Sequence, residues 1–236
     1  MSAGGPTDIA ALLFDKDGTL FDFEATWSAW AARLVLQLAE GDVTRATRLA
    51  AVIGFDLPTT TFARDSVAIA GTPDDLAKAL AAEMPGMSQA EVLHSINHQA
   101  AQAPMAEAVP LKPLLDRFAS NALRLGVATN DAEHPAFAHL DTAGIRDFFD
   151  FVVGSDSGFG AKPGTGQLLA FCERVSVAPE QTVMVGDSTH DLVAGRNAGM
   201  WTAAVLTGIA NHEELCDHAD VVLPDIGHLP AWLGLA

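Results

Sequence analysis

Positive charge is scarce in this chain. Its 236 residues include 13 Lys and Arg against 30 Asp and Glu, a formal net charge of −17. Only four lysines occur, Lys16, Lys78, Lys112 and Lys162. Nucleic-acid binding through the phosphate backbone needs a positive footprint, and an anionic membrane surface repels so acidic a chain. Cysteine is scarcer still. Cys172 and Cys216 are too few for a disulfide framework, show no metal-type spacing and are expected as packing residues. No apolar run approaches the roughly 18 residues of a membrane span. The opening stretch MSAGGPTDIAALLFDKDG has no basic start and does not read as a signal peptide. Repeats, low-complexity segments and flexible linkers are missing as well. The expectation is a cytoplasmic protein with neither nucleic acid nor membrane as partner; the oligomeric state is not legible.

What the chain does have is enough apolar material for a core, at 49% hydrophobic residues. Its length suits one domain, or one domain carrying a second. Asp outnumbers Glu by 20 to 10. Asp is the poorer helix former, so the excess points to turns, caps and sites.

Ile9–Phe14 is a short continuous apolar run, the pattern of a strand buried on both faces, and it ends in Asp15-Lys16-Asp17-Gly18-Thr19-Leu20. The layout recurs. Leu125–Thr129 ends in Asn130-Asp131, Phe149–Val153 in Gly154, and Thr182–Val185 in Gly186-Asp187-Ser188. Trp201–Leu206 and Asp220–Leu223 read as further strands. Helical stretches are predicted near Leu111–Leu123, Pro135–Ala143, Gly166–Val175 and Leu192–Ala198. Alternating strands and helices predict an α/β fold with a Rossmann-like parallel sheet covered on both faces, whose ligand site lies at the carboxyl ends of the strands.

From about Phe23 to Pro104 the alternation breaks. Trp27, Trp30, Ala31, Leu34 and Leu38 recur at helical spacing. Thr72-Pro73-Asp74-Asp75 reads as a helix start, and Ser88-Gln89-Ala90-Glu91 as a capping box. An all-helical insertion of about 80 residues is therefore expected after the first strand, with residues 1–22 and 105–236 forming the core and 23–104 a second unit.

Asp15 and Asp17 stand one residue apart just past a buried strand, so both reach one pocket. Two carboxylates that close repel, and burying them uncompensated costs several kcal/mol. A divalent cation resolves the conflict, and all-oxygen ligation suits Mg²⁺. Asp187 and Asp191 supply carboxylates at another strand end. Gly18 permits a tight turn and offers backbone N–H groups to an anion. Thr129 and Asn130 add a hydroxyl and an amide, and Lys162 a cation.

Asp15-Lys16-Asp17-Gly18-Thr19-Leu20 resembles the first motif (DxDGT) of the haloacid-dehalogenase-like hydrolase superfamily. Thr129-Asn130 resembles its second motif, Lys162-Pro163 its third, and Gly186-Asp187-Ser188-Thr189-His190-Asp191 its fourth (GDxxxD). Four motifs in order, each placed at a strand end, carry far more weight than any one alone. The insertion resembles the helical cap of the phosphoglycolate phosphatase and phosphoglucomutase branch. The resemblance implies a Mg²⁺-dependent phosphatase of a small phosphorylated metabolite, of phosphoglycolate-phosphatase type. Asp15 would be the nucleophile and Asp17 the general acid and base. The Asp15 and Asp187 carboxylates and the Asp17 backbone carbonyl would hold Mg²⁺. Asp191 would be a metal-water ligand or a partner for Lys162. Thr129, the Asn130 backbone and Lys162 would bind the phosphoryl oxygens. Relatives often follow Lys-Pro with a second proline; Gly164-Thr165-Gly166 stands here and loosens the next helix start.

Other readings are weighed against this one. Dehalogenases of the superfamily lack the acid corresponding to Asp17. Phosphonatases need a Schiff-base lysine, for which Lys78 is the insertion's one candidate. A sugar-phosphate mutase stays open as the alternative. A receiver-like phospho-acceptor or an acidic interaction module is a poorer match, because receivers are shorter and need no cap. Arg64 is expected to pair with its neighbour Asp65 rather than with substrate. His94 and His98 read as a solvated helix face, Trp27 and Trp30 as core, and Gly158-Phe159-Gly160 as a flexible loop. His190 is left out of the candidate set.

Overall fold

A computed structural model describes residues 6–235 of the chain. Residues 1–5, which open the stretch read above for a signal peptide, lie outside the described residues. The first strand, β1 (Ala11–Phe14), is followed by α1 (Phe23–Leu38), α2 (Val43–Val52), the short strands β2 (Phe55–Asp56) and β3 (Thr61–Phe62), α3 (Val67–Ala70), α4 (Pro73–Ala82) and α5 (Gln89–Ala100). Then come α6 (Leu111–Ser120), β4 (Arg124–Ala128), α7 (Glu133–Ala143), β5 (Phe151–Val153), α8 (Gly166–Val175), β6 (Thr182–Gly186) and α9 (Thr189–Ala198). The chain closes with β7 (Trp201–Val205), α10 (His212–Leu215), β8 (Val221–Leu223) and α11 (Leu229–Trp232). Among the described residues no helix is long and apolar enough to cross a membrane.

Six strands form one sheet in the order β5-β4-β1-β6-β7-β8, and every pair in it is parallel. After β1 the chain builds outward through β4 and β5, then returns to the other side for β6, β7 and β8. The order reverses at β1, which places a crevice at the carboxyl ends of β4, β1 and β6. All four β1 residues are buried, as a central parallel strand requires. Their side chains alternate between faces. Leu12 and Phe14 pack with Leu115, Phe118 and Leu140, while Ala11 and Leu13 pack with Leu168, Phe171 and Met184.

Every strand expected in the sheet is present, within two residues at either end. Phe149 is excluded from β5 because a single 3₁₀ turn at Arg146–Phe148 precedes it. In the segment between β1 and α6, the predicted capping box of Ser88 with Glu91 is formed, and the predicted helix start at Thr72 is also a capping box, with Asp75. The segment also holds what periodicity missed, namely α2, capped by Asp42, and the antiparallel pair of β2 and β3. It has its own apolar cluster, in which Trp27, Trp30 and Leu34 pack with Leu49, Leu80 and Ile96. The chain leaves and re-enters the sheet unit side by side, with Asp22 N–H donating to Ala106 O at 2.8 Å and Ala108 N–H to Leu20 O at 3.0 Å.

One close approach in the sheet unit has a direct consequence. A Cβ at Gly126, in the middle of β4, would stand 2.6 Å from the Phe171 ring and 3.0 Å from a Leu13 methyl. The missing side chain is what lets α8 seat Phe171 on the sheet. Gly126→Ala is expected to destabilise the fold by about 1–3 kcal/mol through overpacking. Urea unfolding checks this, and an unchanged midpoint would contradict the packing described.

Candidate active site

Three adjacent strand ends supply the polar groups of one crevice. Asp15 follows β1 directly, and its N–H is fixed by Val185 O of β6 at 2.8 Å. Its Oδ1 lies 2.6 Å from Lys162 Nζ. The same ammonium lies 2.6 Å from Asp191 Oδ1. Asp191 Oδ2 in turn accepts from Ser188 N–H at 3.1 Å and Ser188 Oγ–H at 2.7 Å, the capping box that starts α9. One carboxylate therefore both opens a helix and anchors the lysine. Asp187, directly after β6, completes the group. Oxygens of Asp15, Asp187 and Asp191 all lie within 4.8 Å of one another, and all three residues are buried.

Such crowding leaves no space for side chains beside Asp187. A Cβ on Gly18, whose φ is +80°, would stand 2.3 Å from the Asp187 carboxylate, and one on Gly208 only 1.7 Å. The charges pay for the crowding in proton affinity. Burial, together with Asp191 and Asp17, pushes the Asp15 carboxyl up to about 7 against the opposing pull of Lys162. Burial and the neighbouring Asp15 and Asp191 hold Asp187 well above the usual carboxylate range. Burial opposes the charge on Lys162, yet Asp15 and Asp191 more than offset it and keep the ammonium charged. Three close carboxylates, all-oxygen and short of positive charge, fit a hard dication.

A second buried lysine organises Asp17. Lys16, fully buried, places its Nζ 2.7 Å from Asp17 Oδ2, 3.0 Å from Asp131 Oδ2 and 3.0 Å from His139 Nδ1. Trp27, in α1, donates its indole N–H to Asp17 Oδ1 at 2.9 Å. The Lys16 ammonium lies 5.2 Å from the centre of the Trp27 ring. His139 Nε2 sits 2.7 Å from Ala100 O at the end of α5. With the ammonium donating to Nδ1, Nε2 carries the proton and donates to that carbonyl. Burial and Lys16 depress this imidazole to about 4, so it is neutral near pH 7.

Seven of the eight candidate residues border one cavity, namely Asp15, Asp17, Thr129, Asn130, Lys162, Asp187 and Asp191. Thr129 Oγ accepts from Asp131 N–H at 3.0 Å. The Asn130 side chain clamps the Lys162 backbone, its Nδ2 donating to Lys162 O at 3.0 Å and its Oδ1 accepting from Lys162 N–H at 2.8 Å. Gly18 is the exception. Its N–H donates to Phe21 O at 2.7 Å, so the amide closes a turn instead of facing an anion. The glycine's contribution is room for Asp187. Asp17 also differs from the other acids, because Lys16 and Trp27 engage its carboxylate and it stands outside the Asp15, Asp187 and Asp191 cluster.

The remaining expectations sort as follows. Arg64 pairs with Glu214 at 2.9 Å, across to the sheet unit, and not with Asp65. His94 and His98 are exposed, with stacked rings. Trp27 and Trp30 are core residues and also border the cavity, so the two readings were not exclusive. Cys172 is buried and Cys216 exposed. Lys16, Asp131, His139 and the Trp27 N–H were not foreseen. Only the Ser188–Asp191 box had a legible signature, Ser-x-x-Asp before an apolar residue.

The family model described as haloacid dehalogenase-like hydrolase matches residues 12–205. Phosphoglycolate phosphatase of Escherichia coli is 29% identical over 97% of this chain and 94% of its own length. Phosphoglycolate phosphatase of Rhodospirillum rubrum is 35% identical over 51% of this chain, and that match spans only 50% of the relative's length. A HAD phosphatase structure from Thermococcus onnurineus superposes with a TM-score of 0.68 at 23% identity, over 96% of this chain and 99% of that one, which shows the shared fold. With its family match running from β1 to the end of β7, the chain belongs to the haloacid dehalogenase-like hydrolases.

Proposed function

We propose that the chain is a Mg²⁺-dependent phosphatase acting on a small phosphorylated metabolite through an aspartyl-phosphate, with catalytic machinery of the phosphoglycolate-phosphatase type. One observation carries the reading. Two carboxylates from one strand end enter the same cavity in different hands, Asp15 against Lys162 and Asp17 against Lys16 and Trp27. Paired acids held in different environments suit different tasks.

Asp15 attacks phosphorus through a carboxylate oxygen, and the bond from phosphorus to the ester oxygen breaks. Asp17, as general acid, gives a proton to the departing alcohol. A water oxygen then attacks phosphorus while Asp17 takes that water's proton. The Asp15–phosphorus bond breaks, inorganic phosphate leaves, and both carboxyl groups return to their starting states. A carboxylate approaching a phosphate dianion is repelled by about 4 kcal/mol per unit-charge pair at 4 Å and an effective dielectric near 20. Lys162 supplies the opposite sign at the point of attack, and Asn130 keeps it aimed by binding both sides of its peptide. The Thr129 hydroxyl proton is left to face a phosphoryl oxygen. The Asp15 and Asp187 carboxylates and the Asp17 carbonyl, with Asp191 beside them, would hold Mg²⁺, which would neutralise phosphoryl charge. We assign residues 23–104 as a cap over a core of residues 1–22 and 105–236, excluding water and strengthening each of these interactions.

The protein is expected to hydrolyse 4-nitrophenyl phosphate with Mg²⁺ and to lose that activity in excess EDTA, while Asp15→Asn falls to background with an unchanged circular-dichroism spectrum. Activity surviving in Asp15→Asn would exclude the aspartyl-phosphate. Trp27→Phe keeps an aromatic ring, smaller than the indole, and removes the N–H that orients Asp17. Turnover of a simple alkyl phosphate is expected to fall about tenfold or more, because its leaving oxygen needs the proton. Turnover of 4-nitrophenyl phosphate, a far better leaving group, is expected to fall much less. Equal losses on both esters would show that Trp27 has no part in holding the acid.

A further inference from the structure

The cavity that receives the phosphoryl group has a volume of about 800 Å³ including its open mouth, and its walls differ sharply in chemistry. The sheet unit contributes the carboxylates, Lys162, Thr129, Asn130, Ser188 and His190, all on the phosphoryl side. The opposite wall consists of Phe23, Trp27, Trp30, Ile69, Leu76 and Ile96 with small residues between them. Among the described residues, segment 23–104 places no lysine, arginine or histidine on that wall. Arg64 borders a neighbouring cavity instead, where Glu214 holds it at 2.9 Å. Lys16 is buried between Asp17 and Asp131 and is no cavity residue.

The wall's side-chain polar groups are nearly all engaged. Trp27 Nε1–H donates to Asp17, and the Thr72 hydroxyl donates to Asp75 Oδ2 at 2.7 Å. Trp30 Nε1, buried, has no partner among the described residues. One neutral donor on an aromatic and aliphatic surface matches a neutral, apolar leaving group. It does not match a carboxylate, which needs a cation or several donors once it leaves water, and which here also meets the field of the catalytic acids. Nor does it match a sugar, whose hydroxyl groups would be buried without partners.

Building on the phosphatase reading, we infer that the substrates are monoesters of neutral, apolar alcohols with an aromatic or branched aliphatic body, and that carboxylate-bearing esters such as phosphoglycolate are poor substrates. The aromatic side chains bury the body of the alcohol, and the pocket's charge excludes a second anion.

The test compares kcat/KM for benzyl phosphate, phosphoglycolate and glucose 6-phosphate with Mg²⁺. Benzyl phosphate is expected to lead by about 100-fold, the scale on which unpaired buried polar groups discriminate. Equal or better turnover of either polar ester overturns the inference. Binding of benzylphosphonate and of phosphonoacetate, measured by calorimetry, separates this claim from the phosphatase reading. Benzylphosphonate bound at least about tenfold more tightly supports the apolar wall even if no ester is hydrolysed, an outcome that would remove only the phosphatase reading. Tighter phosphonoacetate refutes the wall's role. Ile69→Arg, which adds a cation at a half-buried lining position, is expected to move the ester preference toward phosphoglycolate; an unmoved ratio from a folded variant counts against the assignment.

Discussion

Charge crowding at the ends of β4, β1 and β6 is the constraint on which the rest of the site depends. Asp15, Asp17, Asp131, Asp187 and Asp191 converge there, and two ammonium groups stand among them, Lys16 and Lys162. Half of the lysines in a chain that has only four are buried at this one place. Fully ionised, five carboxylates against two ammonium groups leave three negative charges in a region that excludes water. An isolated buried charge is untenable, and four of the five acids carry an ammonium partner, while Asp187 accepts from the Thr19 hydroxyl at 3.5 Å. The pairs are also segregated, Lys162 with Asp15 and Asp191, Lys16 with Asp17 and Asp131. That segregation places two acids two residues apart in sequence in different environments.

The second consequence is mechanical. Asp17 is tied to the inserted segment twice, directly by the Trp27 indole and indirectly through Lys16, His139 and the Ala100 carbonyl. α1 and α5 are thereby registered on the group that, in the proposed mechanism, delivers a proton to the leaving alcohol. The same two helices supply Phe23, Trp27, Trp30 and Ile96 of the apolar wall. Under that proposal acid placement and leaving-group selection share residues, and a shift of α1 alters both.

The sheet was legible because central parallel strands are continuous apolar runs that stop at turn residues, as IAALLF stops at Asp15. Asp15 and Asp17 stood out as candidate site residues because an Asp-x-Asp pair just past such a run has few structural uses, and both border the same cavity. The capping box at Ser88 was legible because its oxygens sit three residues apart in sequence, and the helix start at Thr72 because a proline and two acids follow it. Lys16 was not, because its partners Asp131 and His139 are more than 100 positions away and only the β1–β4 pairing brings them together. Gly18 was misread for a related reason. A glycine in a turn signals a positive φ, but sequence cannot say whether its N–H faces a ligand or closes the turn on Phe21. Arg64 was assigned to its neighbour Asp65, whereas folding brought Glu214 from the opposite unit.

The central claim is that the carboxylate cluster is strained by its own charge until a dication joins it. With Asp15 raised to about 7 from an ordinary value near 3.8, the folded protein holds a proton that the unfolded chain releases. Its contribution to stability is complete below about pH 4 and is lost as pH climbs to 7, on the order of 4 kcal/mol. Dication binding requires the ionised carboxylates, so it restores stability only where that loss has occurred. The direct measurement is the shift in Tm on adding Mg²⁺ at pH 5 and at pH 8, for the native protein and for Asp187→Asn. The account predicts a shift that is large at pH 8, small at pH 5 and nearly absent in Asp187→Asn. A shift of equal size at both pH values, or one that survives in Asp187→Asn, would contradict it.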